Sequence, residues 1–317
     1  MAPRHKDSDR LGERLKLREL QILFSVAQFG SMAKAAAHLS TTQPAVSQAI
    51  ADLEETVGVR LFDRSTQGVV PTVYGNILLK RGAESFDALK QALREIEFLA
   101  TAGAGDVWVG CHEPTLHGLV PAVIQRLAKF HPKIVVHATY EAPSAHGFDR
   151  LRDRGLDLIV AGSTPLPSDD DLNVELLYEE TFCIVTAAHS PWARRRKVAL
   201  ADLMNESWIF GESGNTVQRR ISDVFRAKVG ALPPISVFTV LMNLRLALLA
   251  SGNYVSCIPR SVYRSGAQGR QIKALPIEMG LSLPIQVFTL KNRTLSPVAK
   301  LFIENAREVA KSMTKET

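Results

Sequence analysis

The hydrophobic positions of residues 15–58 repeat at helical spacing in three successive segments. The first segment has one apolar face and ends at Gly30; the residues of this face are Leu17, Leu20, Leu23, Phe24 and Ala27. Ser31 is the predicted N-cap of a short alanine-rich helix with Met32, Ala35, Ala36 and Leu39 on one side. A turn of only a few residues then leads to the third segment. Two short helices joined by so tight a turn predict a helix-turn-helix from about Met32 to Ala51.

The third segment, Q-P-A-V-S-Q-A-I-A-D-L-E, has an outer face that begins uncharged and ends acidic. Thr42 is its predicted N-cap, and Pro44 lies in the first turn, where the missing N–H costs nothing. Neutral side chains at this end can pair with base edges in a major groove, while the acidic end stays outside because phosphates repel it; its residues are Asp52, Glu54 and Glu55. A plain three-helix packing unit with a solvated polar face fits the same residue types equally well.

Two short β-prone pieces follow Gly58 in V-R-L-F-D-R-S-T-Q-G-V-V-P-T and predict a small hairpin, or wing, around residues 65–68. Arg64 lies at the mouth of this hairpin, where it can reach a phosphate or a narrow minor groove. The predicted wing favours the DNA-binding interpretation over the plain packing unit.

Five motifs in this order resemble the winged helix-turn-helix of LysR-type transcriptional regulators: L-x-L-R-E-L, G-S-M-A-K-A-A-A-H-L, Q-P-A-V-S-Q-A-I-x-x-L-E, V-G-V-R-L-F-D-R and P-T-x-x-G. The resemblance implies a domain over residues 15–72 that binds double-stranded DNA. The residues it places on DNA are Thr42, Gln43, Pro44, Ser47, Gln48 and Arg64. Gln48 departs from the Arg or Lys that family members often carry, so a base preference does not transfer there. Pro71 replaces the usual leucine before the threonine.

Residues 73–100 predict one long helix with a single apolar seam. The seam residues are three or four positions apart, as in a coiled coil; they are Gly82, Phe86, Leu89, Leu93, Ile96 and Ala100. The seam either packs on its own domain or pairs with its twin in a dimer. The family-consistent interpretation is a linker helix with a dimer interface at Phe86, Leu89, Leu93 and Ile96, within a dimer or tetramer. T-A-G-A-G at 101–105 then predicts a flexible hinge.

From residue 106 the chain alternates strand and helix patterns, beginning with V-W-V-G, a helix ending in K-F-H-P, and I-V-V-H-A-T. This order predicts parallel strands with right-handed crossovers. H-P-K-I-V-V, G-L-D-L-I-V and A-A-H-S-P-W-A resemble the effector-binding domain of the same family, two α/β lobes like those of periplasmic solute-binding proteins. The resemblance implies an α/β multidomain chain with an effector domain over 106–317, lobe I at about 106–165 and 271–317, and lobe II at about 166–270.

Ligands of open α/β sheets bind beyond the carboxyl ends of the strands, and helix N-termini nearby favour anions. The candidate effector-binding residues at such ends are His112, Glu113, Thr115, Ser163, Glu212, Ser213 and Thr239. Ordinary loop and capping roles would explain the same residue types. Because Glu113 and Glu212 would repel a carboxylate, we hypothesise an effector that is neutral, cationic or a hydroxylated acid held mainly by hydroxyls.

The net charge of +6 does not carry the DNA interpretation, because residues 1–100 hold 13 Lys and Arg against 12 Asp and Glu. The DNA argument therefore rests on the motifs. No apolar run approaches the roughly 20 residues that span a bilayer, and no signal peptide is visible, which predicts a cytoplasmic protein without a membrane partner. Cys111, Cys183 and Cys257 lie far apart with no C-x-x-C pair, which argues against a disulfide framework or a zinc site and favours buried thiols, with a redox sensor as the alternative.

Enzyme motifs are weak in this sequence. The histidines of H-E-P-T-L-H at 112–117 are five positions apart, and G-E-S-G-N at 211–215 lacks the last glycine of a nucleophile elbow. We therefore predict no catalytic site, metal or cofactor. The predicted function is a sequence-specific transcriptional regulator that responds to a small-molecule effector, with RNA polymerase as a further partner. The alternative is a small-molecule binding or carrier protein without a DNA role.

Overall fold

The computed structural model describes residues 15–65, 68–142, 146–162, 170–212, 216–265 and 271–315. The chain forms two compact units, Met1–Lys90 and Gln91–Thr317. The boundary between them lies inside the long predicted helix, so each unit contains part of that helix.

The first unit contains three short helices, a two-stranded hairpin and the first turns of the long helix. These elements are α1 (Leu17–Phe29), α2 (Met32–His38), α3 (Gln43–Val57), β1 (Phe62–Ser65), β2 (Gly68–Pro71) and α4 (Val73–Ala100). Ser31 caps α2, since its side chain accepts a hydrogen bond from the Lys34 N–H at 3.4 Å. The apolar faces of the three short helices meet in one buried cluster, which includes Leu23, Ala35 and Ile50. The predicted helix-turn-helix and hairpin are therefore present.

The second helix of the helix-turn-helix continues past the motif to the end of the helical spacing. Ala51, given above as the approximate end of the motif, lies in the interior of α3, which continues to Val57. Ala51 itself is exposed on the outer face, whereas Leu53 in the following turn is fully buried in the cluster. The helix ends only at Gly58, whose left-handed backbone (φ +73°) lets its N–H donate to the Glu54 carbonyl at 2.8 Å. This end agrees with the helical spacing over residues 15–58, and core packing continues through Leu53.

The first half of α4 packs on this same unit. Phe86 makes an edge contact with Phe24, with ring centroids 5.8 Å apart. A Cβ added at Gly82 would lie 3.3 Å from the Phe24 ring, so the helix approaches α1 closely. The unit thus extends beyond residue 72, the predicted end of the DNA-binding domain. Phe86, predicted to face a twin helix, instead packs within its own unit.

The second unit is a mixed α/β structure. Its strands are β3 (Gly105–Cys111), β4 (Ile134–Tyr140), β5 (Leu158–Gly162), β6 (Leu172–Ala187), β7 (Trp208–Phe210), β8 (Ile235–Phe238), β9 (Val255–Pro259), β10 (Ile272–Ala274) and β11 (Ser282–Leu290). Among the described residues they are ordered β4-β3-β5-β11-β6-β9-β7-β8, with β10 paired to β6. Its helices after α4 are α5 (Glu113–His117), α6 (Leu119–Phe130), α7 (Asp149–Arg152), α8 (Thr216–Val229), α9 (Met242–Ala250), α10 (Arg260–Arg264) and α11 (Pro297–Lys315).

Two lobes share this sheet, and the chain passes between them in β6 and again in β11. Tyr178 of β6 lies in the core of lobe I, whereas Phe182 lies in the core of lobe II. On the return, Leu283 still belongs to lobe II and Ile285 to lobe I. The parallel strands β3, β4 and β5 belong to lobe I, as the β-α-β pattern predicted.

The predicted lobe boundary at residue 271 is wrong. Ile272 of β10 pairs with Ala187 of β6, and both Leu275 and Ile277 lie in the lobe II core. Lobe II therefore continues to about Leu283. The sequence pattern shows a strand near 272 but not its pairing partner, which here lies far away along the chain.

The predicted flexible hinge at 101–105 is also wrong. The Gly103 N–H donates to the Phe98 carbonyl at 2.9 Å, and Lys133 Nζ donates to the Thr101 carbonyl at 3.2 Å. Gly105 already belongs to β3, where an added Cβ would lie 2.9 Å from Val298. The glycines of this segment therefore permit a tight packed turn rather than free motion.

The last turns of α4 are held on the second unit by an ion pair. Arg94 Nη1 lies 2.9 Å from Asp157 Oδ1, and the guanidinium stacks 4.5 Å over the Trp108 ring. Asp157 also pairs with Arg293 at 3.1 Å. No helix in the described ranges is long and apolar enough to cross a membrane.

Candidate functional site

The first turn of α3 presents neutral side chains to solvent. Thr42 is the N-cap, since its Oγ1 accepts from the Ala45 N–H at 3.4 Å. Gln43 and Pro44 are exposed, and Ser47 is half-buried one turn later. Unpaired N–H groups and the partly positive helix end lie at this same turn. The surface can therefore donate to and accept from an anionic, hydrogen-bonding partner such as DNA.

Gln48 is engaged within its own helix. Its Nε2 donates to Asp52 Oδ1 at 2.7 Å, an exposed contact between residues four apart. A contact between Gln48 and a base edge must compete with this intrahelical bond. Asp52 forms this bond with Gln48 and does not compete in the same way with Thr42, Gln43 or Ser47 for contacts with DNA.

The wing is fixed to the three-helix core by hydrogen bonds from its backbone N–H groups. Glu54 Oε1 accepts from the N–H groups of Leu61 at 2.7 Å and Phe62 at 3.2 Å, at the start of β1. The Val69 N–H donates to the Gly30 carbonyl at 2.9 Å. Glu54, predicted to lie on the acidic outer end of α3, is thus used to anchor the wing.

Arg64 lies exposed on β1, opposite Val69 of β2. Residues 66 and 67 at the predicted tip lie outside the described residues. The predicted position of Arg64 at the mouth of the hairpin agrees with this geometry.

The exposed part of the α4 seam begins at Leu89. Leu89, Leu93 and Ile96 are 47%, 67% and 62% exposed, respectively. Side chains this apolar are normally buried against a partner when they form a continuous stripe.

The candidate effector site is a cavity of about 490 Å³ that both lobes line. Lobe I contributes His112, Glu113, Thr115 and Tyr140, and lobe II contributes Glu212, Gln218, Ile221 and Arg245, with Glu180 and Phe182 where β6 crosses. Among the predicted effector residues, His112, Glu113, Thr115 and Glu212 lie in this wall. Ser163 and Ser213 lie outside the described residues.

Glu113 joins the two lobes. Its Oε1 accepts from the Met242 N–H at 2.7 Å, at the N-terminus of α9, and lies 3.2 Å from His117 Nε2. The protein's own carboxylate therefore occupies a helix N-terminus that would otherwise suit an anionic ligand.

The predicted hydroxyls have local roles instead. Thr115 Oγ1 donates to the carbonyls of His112 at 2.8 Å and Val160 at 3.2 Å. Thr239 is buried, and its Oγ1 accepts from the Leu241 N–H at 3.1 Å. Thr239 is also absent from the cavity lining, so its predicted ligand role is not supported. Local hydrogen bonds to the backbone account for both hydroxyls.

Family models match both units of this chain. Residues 17–76 match the bacterial regulatory helix-turn-helix protein of the lysR family, and residues 101–311 match the LysR substrate binding domain. The chain belongs to the LysR family of transcriptional regulators. It is a DNA-binding regulator with an effector-binding domain, as the sequence motifs predicted.

Relatives of this LysR-type regulator are themselves named as transcriptional regulators. It is 29% identical to the HTH-type transcriptional regulator GbpR of Azospirillum brasilense over 293 residues, covering 92% of this chain and 85% of the relative. It is 27% identical to CysL of Bacillus subtilis (strain 168) over 293 residues, covering 91% and 92%.

Solved full-length regulators have the same fold. An OxyR of Pseudomonas aeruginosa matches with a TM-score of 0.63 at 22% identity, covering 94% of this chain and 97% of that one. Full-length CbnR, solved in complex with its target DNA, matches with a TM-score of 0.53 at 20% identity, covering 93% and 100%.

Sequence reasoning missed Tyr140, Gln218 and Arg245 in the cavity wall of this LysR-type regulator. Burial raises the pKa of Tyr140, and the carboxylates of Glu113 and Glu212 raise it further. Burial lowers the pKa of Arg245. Arg245 had a sequence signal, because it is the one charged residue within the apolar helix M-N-L-R-L-A-L-L-A.

The three cysteines of the regulator are buried. Burial raises the pKa of Cys111 and of Cys183 to about 12 and raises that of Cys257 as well. Protonated thiols are poor nucleophiles, so this geometry favours the buried-thiol interpretation over the redox sensor.

His112 makes the effector domain acid-sensitive. Burial lowers its pKa from 6.5 to about 4, and a hydrogen bond to the Gly162 backbone acts in the opposite direction. The unfolded chain takes up this proton first as pH falls, so the stabilisation is complete above pH 6.5 and is lost towards pH 4. Between pH 7 and pH 4 we expect wild type to lose up to about 3 kcal/mol more stability than His112→Asn.

Denaturant unfolding followed by tryptophan fluorescence measures this difference, because Trp108, Trp192 and Trp208 all lie in the second unit. His146→Asn is the matched control, since the His146 side chain is 86% exposed. An equal pH dependence in wild type and His112→Asn would contradict the assignment.

Proposed function

We propose that this LysR-type regulator binds the bases of its operator with the first turn of α3 and makes a further, stabilising contact with DNA through its wing. The residues we place on DNA are Thr42, Gln43, Pro44, Ser47, Gln48 and Arg64. The observation that carries this proposal is the exposed, uncharged N-terminal turn of α3, capped by Thr42 and followed by the acidic end of the same helix. A recognition helix entering a major groove by its N-terminus needs this distribution of charge.

A second copy of the chain is the partner that the exposed α4 seam favours. Two half-sites require two recognition helices, and Leu89, Leu93 and Ile96 offer an apolar stripe for a twin helix. We propose a dimer through this seam as the smallest DNA-binding form, with a tetramer as the larger alternative. RNA polymerase is the proposed further partner, and the cytoplasm is the proposed site of action.

We further propose that the interlobe cavity binds the small-molecule effector. Both lobes line it, and the Glu113–Met242 contact ties lobe I to α9 of lobe II. A ligand that alters the Glu113–Met242 contact binds one arrangement of the lobes more tightly than another. Its binding therefore shifts the equilibrium towards the arrangement that it prefers. The altered arrangement would change how the oligomer holds its two half-sites and thereby the access of polymerase.

Filling the cavity tests this proposal. Val240 is half-buried in the cavity wall, so Val240→Trp is expected to occupy ligand space. A reporter driven by the regulator's own upstream region should vary with growth conditions in wild type and stay constant with Val240→Trp. Thermal unfolding of the purified variant controls for folding. A variant that folds and still follows wild type through every condition would contradict the effector role of the cavity.

A further inference from the structure

The cavity wall holds two buried polar atoms of opposite character that lack hydrogen-bond partners in the described part of the chain. They are Glu113 Oε2, an acceptor, and Arg245 Nε, a donor. Burying a polar atom without a hydrogen-bond partner is unfavourable, and more so when its group is charged. A ligand that satisfies both atoms would recover this cost.

Glu113 is held so that only one of its oxygens is satisfied. Oε1 accepts from the Met242 N–H at 2.7 Å and lies 3.2 Å from His117 Nε2. These contacts fix the carboxylate in place and leave Oε2 for a donor. A protonated amine is the ligand group that best matches a buried carboxylate oxygen, since the bond is charge-assisted.

Arg245 is only 8% exposed, and its outer nitrogens are already used. Nη1 donates to the Cys257 carbonyl at 3.2 Å, and Nη2 donates to the Thr239 carbonyl at 2.6 Å. Both partners are neutral backbone groups, and the nearby Glu113 carboxylate acts on the guanidinium only through space, where it raises the pKa of Arg245 against the larger effect of burial. The buried Nε–H has no partner in the described part of the chain and would donate to an oxygen acceptor.

The rest of the wall selects against a ligand that is only an anion. Glu180 and Glu212 add carboxylates to the same cavity, and His112 adds no positive charge at neutral pH because burial lowers its pKa to about 4. The remaining surface is largely apolar and includes Phe182, Val217, Ile221, Leu283 and Ile285. A ligand with an apolar body and an amine fits this surface, whereas a simple dicarboxylate does not.

We propose, building on the effector role of this cavity, that its ligand is a small amino acid or amino alcohol with an apolar side chain. The ammonium group binds Glu113 Oε2, the carboxylate or hydroxyl oxygen binds Arg245 Nε, and the side chain rests on the apolar wall. Since Glu113 also holds the N-terminus of α9, the amine binds the same carboxylate that joins the two lobes.

Two matched series of compounds test this inference with the full-length protein. The first comprises L-leucine, L-leucinol, isoamylamine and isocaproate; the second comprises L-phenylalanine, L-phenylalaninol, phenethylamine and hydrocinnamate. Binding is measured by isothermal titration calorimetry to wild type, Glu113→Gln, Arg245→Met and the cavity-filled Val240→Trp. Glu113→Gln keeps an oxygen for the Met242 N–H and removes the charge that the amine requires.

Compounds that carry both an amine and an oxygen should bind most tightly in at least one series. Glu113→Gln should weaken them about tenfold or more, Val240→Trp should abolish binding, and the acid of the series should bind weakest. Arg245→Met should reduce the difference in affinity between the amino alcohol and the plain amine, because it removes the Nε–H that the hydroxyl would bind. Thermal unfolding identifies any variant that has lost its fold. If Arg245→Met or Val240→Trp is unfolded, the comparison of wild type with Glu113→Gln decides the amine assignment.

The outcomes separate this inference from the proposed effector site. If the acids bind as tightly as the amines, lose affinity with Val240→Trp and are unaffected by Glu113→Gln, the cavity is a ligand site and the amine assignment is wrong. If no compound binds wild type, or if binding survives Val240→Trp, the amine assignment is wrong. The effector role of the cavity fails separately, when the reporter with Val240→Trp follows wild type through every growth condition.

Discussion

Leu93→Glu is expected to convert the regulator into a monomer and to weaken its binding to operator DNA about a hundredfold. Leu93 is 67% exposed within one chain, and its burial against a twin helix would contribute about 3 kcal/mol per dimer from the two copies. Two facing carboxylates would also repel one another. Since each half-site needs its own recognition helix, the loss of pairing removes the second contact with DNA.

Sedimentation velocity and a mobility shift measure the two parts of this effect. Ala88→Glu is the matched control, because it adds the same charge to an exposed neighbouring position outside the seam. If Leu93→Glu remains oligomeric like the control, self-association through the seam is refuted.

Gly75→Ala is expected to destabilise the DNA-binding unit by about 3 kcal/mol and to abolish operator binding at elevated temperature. A Cβ at Gly75 would lie 2.1 Å from the Leu61 carbonyl oxygen, so the backbone leading into the wing must move. The Thr72 N–H donates to this same carbonyl at 2.9 Å, and Thr72 Oγ1 accepts from the Gly75 N–H at 3.0 Å. One substitution therefore disturbs both the wing and the start of α4.

Differential scanning calorimetry of the full-length protein measures this loss. Gly58→Ala is the matched control, because Gly58 has a φ of +73° and nothing lies within 4 Å of its added Cβ. The control should cost only the roughly 1–2 kcal/mol of left-handed backbone strain. Similar losses in the two variants would show that the close approach at Gly75 can relax.

The fold of the DNA-binding unit was predictable from sequence because its signals are local. Caps at Ser31 and Thr42 and the hydrophobic spacing within each helix identify elements whose partners are close along the chain. The P-T-x-x-G motif also has a local physical meaning, since Thr72 caps α4 and Gly75 admits the Leu61 carbonyl. Hydrophobic spacing alone did not separate Phe86, which packs on Phe24, from the exposed seam that begins at Leu89.

The errors in the second unit arose where distant segments meet. T-A-G-A-G predicted a hinge because glycine permits many conformations, and only the contacts of Lys133 and Val298 show that the turn is packed. The lobe assignment of β10 depended on its pairing with β6, about 85 residues earlier along the chain. Neither the packing of this turn nor the pairing of β10 leaves a pattern in the sequence around the segment itself.

The candidate effector site was predictable only in part. Of the residues chosen at strand ends, His112, Glu113, Thr115 and Glu212 lie in the cavity wall, because the fold gathers such ends in one crevice. Their role in binding a ligand stays a prediction. Thr239 is absent from the cavity lining, and its hydroxyl accepts from the Leu241 N–H just before α9. Tyr140 and Gln218 were missed because side-chain direction into a shared cavity depends on tertiary packing.

The most direct test of the regulator account is a mobility shift with the purified protein and its own upstream DNA. The measurement is made at two salt concentrations, with Gln43→Ala/Ser47→Ala and, as a control at the acidic C-terminal end of the same helix, Glu55→Ala. We expect sequence-selective wild-type binding that survives the higher salt, and selectivity reduced about a hundredfold in the double variant, whose two lost base contacts each contribute about 1–3 kcal/mol. Selective binding by the double variant equal to that of wild type and Glu55→Ala would contradict recognition by the first turn of α3.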